Sequence, residues 1–220
     1  MDSINKKNFN KILKFIIAII IIAIIVILLY WYLSNSVYNT KQINGFLGNQ
    51  YEVHRKMPNS RGAANLLEKL NDNNIKLFRY LKNKYDKDNV QTEADGIVYR
   101  LVTNYNPDRL IENSPNNITK STSYTINKGE KIAICLRDKK TLKLHDINTL
   151  TYVMLHELAH VATIEKEHPP IFWETFKVLL KEASNIGIYT PINYSSYPQN
   201  YCGIQITDNP LFDNTLRNIT

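Results

Sequence analysis

The sequence predicts an α+β domain behind a single N-terminal transmembrane helix, and three observations carry that prediction. Residues 15–33 (FIIAIIIIAIIVILLYWYL) hold neither a charge nor a proline. Residues 146–163 show helical periodicity and contain His-Glu-Leu-Ala-His at 156–160. Residues 122–137 (TSYTINKGEKIAICLR) are β-rich on both sides of Asn127-Lys128-Gly129, the pattern of a hairpin.

The nineteen apolar residues would rise roughly 28 Å as a helix, about the thickness of a bilayer's hydrocarbon core. Lys6, Lys7, Lys11 and Lys14 lie in the tail 1–14, whereas only Lys41 falls in the twenty residues after Leu33. Tyr30, Trp31 and Tyr32 make an interfacial aromatic belt at the far end. The positive-inside rule then places the N-terminus in the cytosol and residues 34–220 across the membrane. Ser34-Asn35-Ser36 is a small-x-small triplet of the kind that ends a cleaved signal peptide. The apolar stretch exceeds a usual signal core, which favours a retained single-pass anchor. The bilayer is therefore one expected partner.

Residues 34–58 are polar and weakly patterned and read as a linker or stalk, so the folded domain is expected over 59–220. From Asn59 or Ser60 a helix runs to about Tyr85, with Leu67, Leu70, Asn74, Leu77, Leu81 and Tyr85 on one side. Asp72-Asn73-Asn74 is a candidate break within it. Residues 93–105 fit either helix or strand, with helix favoured. Asn106-Pro107 and Ser114-Pro115 punctuate a loop region, and the hairpin over 122–137 follows. Asp146 is an N-cap for the helix through 156–160, which ends near Thr163. Another helix follows Pro169-Pro170 and reaches about Asn185. The tail from Gly187, with Pro191, Pro198 and Pro210, is expected to wrap irregularly.

Of the formal charge of +7, the first 33 residues account for +3 (four Lys, one Asp). The remaining basic residues are scattered, with no dense run and no interleaved aromatics, so nucleic acid is not an expected partner. Cys135 and Cys202 are the only cysteines. In an oxidising compartment they could pair; facing a cytosol they would be two buried thiols.

Three of the five histidines, His156, His160 and His168, fall within thirteen residues. An HExxH on a helix projects two imidazoles from one face, where they can bind zinc, with the adjacent glutamate as general base. Setting His156 at zero and turning about 100° per residue, His160 lies near 40° and Glu157 near 100°. Ile147, Leu150, Met154, Leu158 and Val161 fall between about 120° and 200°, an aliphatic ridge turned from the histidines. On a continuous helix His168 would lie about 12 Å beyond His160 along the axis, too far to share an ion. Pro169 disfavours helix at His168 and Pro170 suits the first turn of a new one. His168 is thus the candidate third ligand, with Glu174 or Glu182 as alternatives. Glu157 is the candidate catalytic base, and one Zn²⁺ per chain the expected cofactor. His145 and His54 read as loop and stalk residues, and Phe172, Trp173 and Phe176 as core. Tyr189, Tyr194, Tyr197 and Tyr201 include candidate oxyanion donors, with nothing to select among them.

With HELAH, a near-following histidine and then IFW, the chain resembles the WLM and SprT-like group of zincin metallopeptidases, and in more detail the membrane-anchored metallopeptidases of large DNA viruses. The stretches that carry this are YTINKGEKIAICLR (124–137), NTLTYVMLHELAHVAT (148–163), HPPIFWETFKVLLKEASNIGIY (168–189) and YCGI (201–204). The resemblance implies a zincin-like minimal fold, a small antiparallel-containing sheet packed on the active-site helix. It implies metal ligands His156, His160 and His168 and the base Glu157. It also makes the Lys131–Arg137 arm a candidate edge strand for binding a peptide or protein substrate. Seven residues separate His160 from His168 where WLM proteins usually have five, no glycine marks the turn, and no Met-turn follows.

These readings converge on a membrane-anchored zinc peptidase. An inactive zincin-fold membrane or virion component is the alternative, and a protease for DNA–protein crosslinks fits less well given the anchor and the scattered charge.

Overall fold

The computed structural model describes residues 2–36, 40–86, 88–113 and 122–219; the Ser114-Pro115 pair lies outside them. The chain divides into two compact units, Met1–Thr40 and Lys41–Thr220. In the first, helix α1 spans Asp2–Ser36. Its segment Lys11–Tyr32, 22 residues of mean hydropathy 3.5, is long and apolar enough to cross a membrane.

The second unit begins well before Asn59, which corrects the expected stalk. Strands β1 (Thr40–Asn44) and β2 (Gln50–His54) pair within residues 34–58. Tyr51 and Val53 alternate into the core, too short a pattern to register in the sequence. Their turn is held from a distance: the buried Glu68 accepts from Leu47 N at 2.5 Å, Asn49 N at 3.1 Å and Asn49 Nδ2 at 3.0 Å.

Helix α2 (Ser60–Lys84) is capped by Asn59, whose side chain accepts from Gly62 N. It runs unbroken through Asp72-Asn73-Asn74, contrary to the break that triplet suggests. Asn71 donates to Tyr51 Oη at 3.1 Å and accepts from Tyr105 Oη at 2.8 Å, while Asn74 donates to Tyr105 Oη at 3.0 Å. Tertiary partners thus satisfy the amides that would otherwise compete with the helix backbone. Residues 93–104 are helical (α3, Glu93–Asn104), fixed by a capping box between Thr92 and Asp95.

Strands β3 (Leu110–Asn113), β4 (Tyr124–Ile126) and β5 (Lys131–Cys135) form a mixed sheet in the order β3-β5-β4. β4 and β5 are the expected hairpin, antiparallel with Thr125 opposite Ile132. β3 runs parallel to β5 on its other side. The Lys131–Arg137 arm is therefore central and cannot be the edge; β3 and β4 are the outer strands.

Helix α4 (Ile147–Ala162) starts at the cap Asp146, and its ridge of Leu150, Met154, Leu158 and Val161 is buried. It packs against α5 (Pro170–Asn185), α3, α2 and the sheet. The tail is mostly irregular, with one short pair, β6 (Gln199–Tyr201) and β7 (Ile204–Ile206). A disulfide joins Cys135 on β5 to Cys202 beside that pair. Near it, fully buried Arg137 forms an ion pair with Glu112 at 2.6 Å, and Glu112 also accepts from His54 N at 2.7 Å.

Candidate metal centre

His156 and His160 sit one turn apart on α4, half-buried, with ring centroids 5.0 Å apart. His168, exposed, returns to them just ahead of α5. α4 stops at Ala162 because Thr163 turns extended, its N–H still bonded to Ala159 O at 2.9 Å. The connector has no glycine, and Glu167 takes the left-handed conformation instead (φ 62°). Pro169 then caps α5 and Pro170 opens it, so the Pro-Pro pair fixes where His168 is presented.

One ring nitrogen from each histidine lies within 4.8 Å of the other two, and the Nε2 atoms of His156 and His168 are 3.2 Å apart. Ligands on a tetrahedral zinc, at about 2.0–2.1 Å each, stand roughly 3.3 Å from one another, so the His156–His168 pair already has that spacing and the wider pairs would close by about 1 Å on binding one ion. Electrostatics suit it as well. Burial, then repulsion from His160 and His168, pushes His156 down to about 3. Burial, with His168 and Lys128 adding to it, takes His160 to about 4. The imidazoles are neutral at neutral pH, the form that ligates metal.

Glu157 is 4% exposed. Burial pushes its carboxyl up to about 7, against the Thr125 hydroxyl, which donates to Oε2 at 2.8 Å and favours the charged form. Thr125 belongs to β4, so the edge strand itself grips the carboxylate. Sequence reasoning missed Thr125, because nothing local distinguishes one threonine in a β-rich arm.

Phe172 is core, as expected, and also backs the site. Its buried ring lies 4.9, 4.4 and 4.5 Å from the centroids of His156, His160 and His168, a common backing for all three. Trp173 stacks on His168 at 5.5 Å. The alternative ligands are engaged elsewhere: Glu174 with Arg217 at 2.8 Å, and Glu182 with Lys84 at 2.7 Å.

Of the remaining candidates, His145 accepts from Cys202 N at 3.2 Å and lies against Tyr201. His54 is half-buried beside Glu112 and Arg137. The Tyr201 hydroxyl pairs with Ser123 at 2.6 Å and that of Tyr189 accepts from Asn209 at 2.9 Å. Tyr194 packs on Tyr152, and Tyr197 is exposed.

The HExxH helix thus lies beside a small mixed sheet, with a third imidazole brought in ahead of the next helix, a donor set that could hold one metal ion. Residues 105–208 match the WLM domain. An uncharacterised protein, R325, of Acanthamoeba polyphaga mimivirus is 33% identical over 163 residues, covering 74% of this chain and 80% of its own. The chain belongs to the WLM-domain family. Crystal structures of Wss1 from Saccharomyces cerevisiae and of a Wss1 mutant share 19% identity with it, at TM-scores of 0.41 and 0.42. They cover 61% of this chain and 86% and 87% of theirs.

Proposed function

We propose that the protein is a membrane-anchored zinc peptidase in which His156, His160 and His168 hold the ion and Glu157 is the general base. The observation that carries this is the meeting of three neutral imidazoles within 4.8 Å, one residue from a carboxyl tuned to about 7. Zinc held there would supply Lewis acidity and a bound water acidified toward neutrality. Glu157 takes the proton of the attacking water and returns it to the leaving amine. Thr125 holds Oε2, which leaves Oε1 for that proton. The β4 edge supports docking of an extended peptide or protein substrate beside the same carboxyl. The Lys11–Tyr32 segment and the lysines before it support the anchor, with the catalytic unit across the membrane from the cytosol.

The full chain, purified in detergent with zinc present, should hold one ion and cleave peptides in a chelator-sensitive way. Glu157→Gln should retain the zinc and lose about 10²–10⁴-fold in kcat. A stably folded chain that takes up no zinc would refute the site, and full activity of the Gln variant would refute the base.

A further inference from the structure

Two residues more than the usual spacing separate His160 from His168, and the connector that contains them is poorly held by packing. Residues 164–167 are exposed, and Ile164, its one large apolar side chain, is 71% exposed. Glu167 adopts its left-handed conformation without being a glycine. Left to itself, such a segment would sample many conformations, and the third imidazole would wander with it.

A single side chain from the β4–β5 turn reaches this segment. Lys128 Nζ donates to Thr163 O at 2.6 Å and to Glu165 O at 2.7 Å. Arg100 of α3 donates to Ala162 O one residue earlier. The two cations thus cap carbonyls at the end of α4 that the helix leaves without partners, where its dipole also favours positive charge. Among the described residues, no other side chain bonds to the backbone of residues 163–167.

The turn that supplies Lys128 is itself tightly fixed. Asn127, Lys128 and Gly129 have φ of 47°, 56° and 116°, three left-handed residues in succession. Gly129 is wedged so closely that a Cβ there would lie 2.7 Å from Asn104 O and 3.1 Å from Val161 Cγ1. Positive φ at successive residues is what a tight hairpin turn requires, and Asn and Gly adopt it readily, so Lys128 is the residue held there at a cost. The turn so fixed aims the lysine at the connector.

We propose that Lys128 is a positioning residue of the metal centre: by pinning Thr163 and Glu165 it fixes the approach of the connector and hence the place of His168. The proposal rests on the zinc reading above. Lys128 touches neither substrate nor metal and acts through the third imidazole.

The test is zinc affinity of the full chain, measured by competition with a chromophoric chelator. Lys128→Met should weaken binding about 10–100-fold, the range typical of groups that orient a ligand. Lys128→Arg, which keeps donors for both carbonyls, should stay within about threefold of the parent. In a His168→Ala background the Met substitution should cost less than about twofold, because the imidazole it positions is gone. Lys128→Gln, a milder change, serves the same cycle if the Met variant misfolds. Unchanged affinity on Lys128→Met, or an undiminished loss in the His168→Ala background, overturns the proposal. Failure of the parent chain itself to bind zinc overturns the metal reading, and the proposal with it.

Discussion

Replacing Glu157 by Gln should stabilise the zinc-free protein at alkaline pH, and the size of the effect follows from its burial. The folded state raises the carboxyl from an ordinary 4.5 to about 7, chiefly through loss of water. A group with a raised folded pKa contributes its stability in the protonated form. That contribution is whole below the ordinary value and is lost as pH rises through about 7. At roughly 1.36 kcal/mol per unit, the ionised side chain at pH 8 costs about 3 kcal/mol. Gln has the same shape, still accepts from Thr125 and never ionises. His156 and His160 carry the opposite dependence: their lowered values give stability above the usual histidine range that is lost toward acid. Both chains contain them, so they cancel in the difference. Zinc-free Glu157→Gln should therefore exceed the parent by about 3 kcal/mol at pH 8 and match it near pH 4.5. Guanidinium titrations with a chelator present, followed by Trp173 emission in a Trp31→Phe background, would measure this. A constant difference across that pH range would refute the buried, neutral-tuned carboxyl.

Two further outcomes follow from the long-range restraints. The Cys135–Cys202 disulfide closes a separation of 67 residues, which chain entropy values at about 4 kcal/mol; Cys135→Ala with Cys202→Ala should lower the unfolding midpoint accordingly, and an unchanged midpoint would show that the bond is not formed. Arg137→Met leaves Glu112 charged in a closed site and should cost about 3–5 kcal/mol by chemical denaturation, much of it recovered when Glu112→Leu is added; no recovery in the double variant would show that the pair's charge complementarity is not what matters.

Much of the site was legible because its signals are local. The spacing of His156 and His160 sets their shared face, the ridge from Leu150 to Val161 sets which side is buried, and the Pro-Pro pair sets where α5 starts. The hairpin turn at Asn127-Lys128-Gly129 was legible for the same reason. What escaped depends on partners far along the chain. β1 and β2 exist because Glu68, nineteen residues beyond Asn49, holds their turn. Asp72-Asn73-Asn74 stays helical because tyrosines at 51 and 105 bond to the neighbouring amides. The centrality of β5 depends on β3 inserting parallel beside it, which no hairpin pattern reveals. Thr125 and Phe172 became site residues only once β4 and α5 were placed against α4.

Two independent physical signals bear on the proposed membrane topology. The first is written in the N-terminal segment, where four lysines precede the apolar run and one follows within twenty residues. The second comes from the fold of a different region, which brings Cys135 on the sheet to Cys202 in the tail and joins them. Lysine asymmetry is read by the insertion machinery, whereas a persistent disulfide is favoured by an oxidising compartment. Neither property constrains the other, and both are compatible with the proposed topology, in which the candidate metal centre lies outside the cytosol. The same disulfide secures Cys135 at the end of β5, the strand that pairs with β4 and so with Thr125. Reduction would therefore loosen the strand that grips Glu157 as well as the tail. On that reasoning the oxidised protein should be the better peptidase, and equal activity before and after reduction of the bond would break the link drawn between compartment and catalysis.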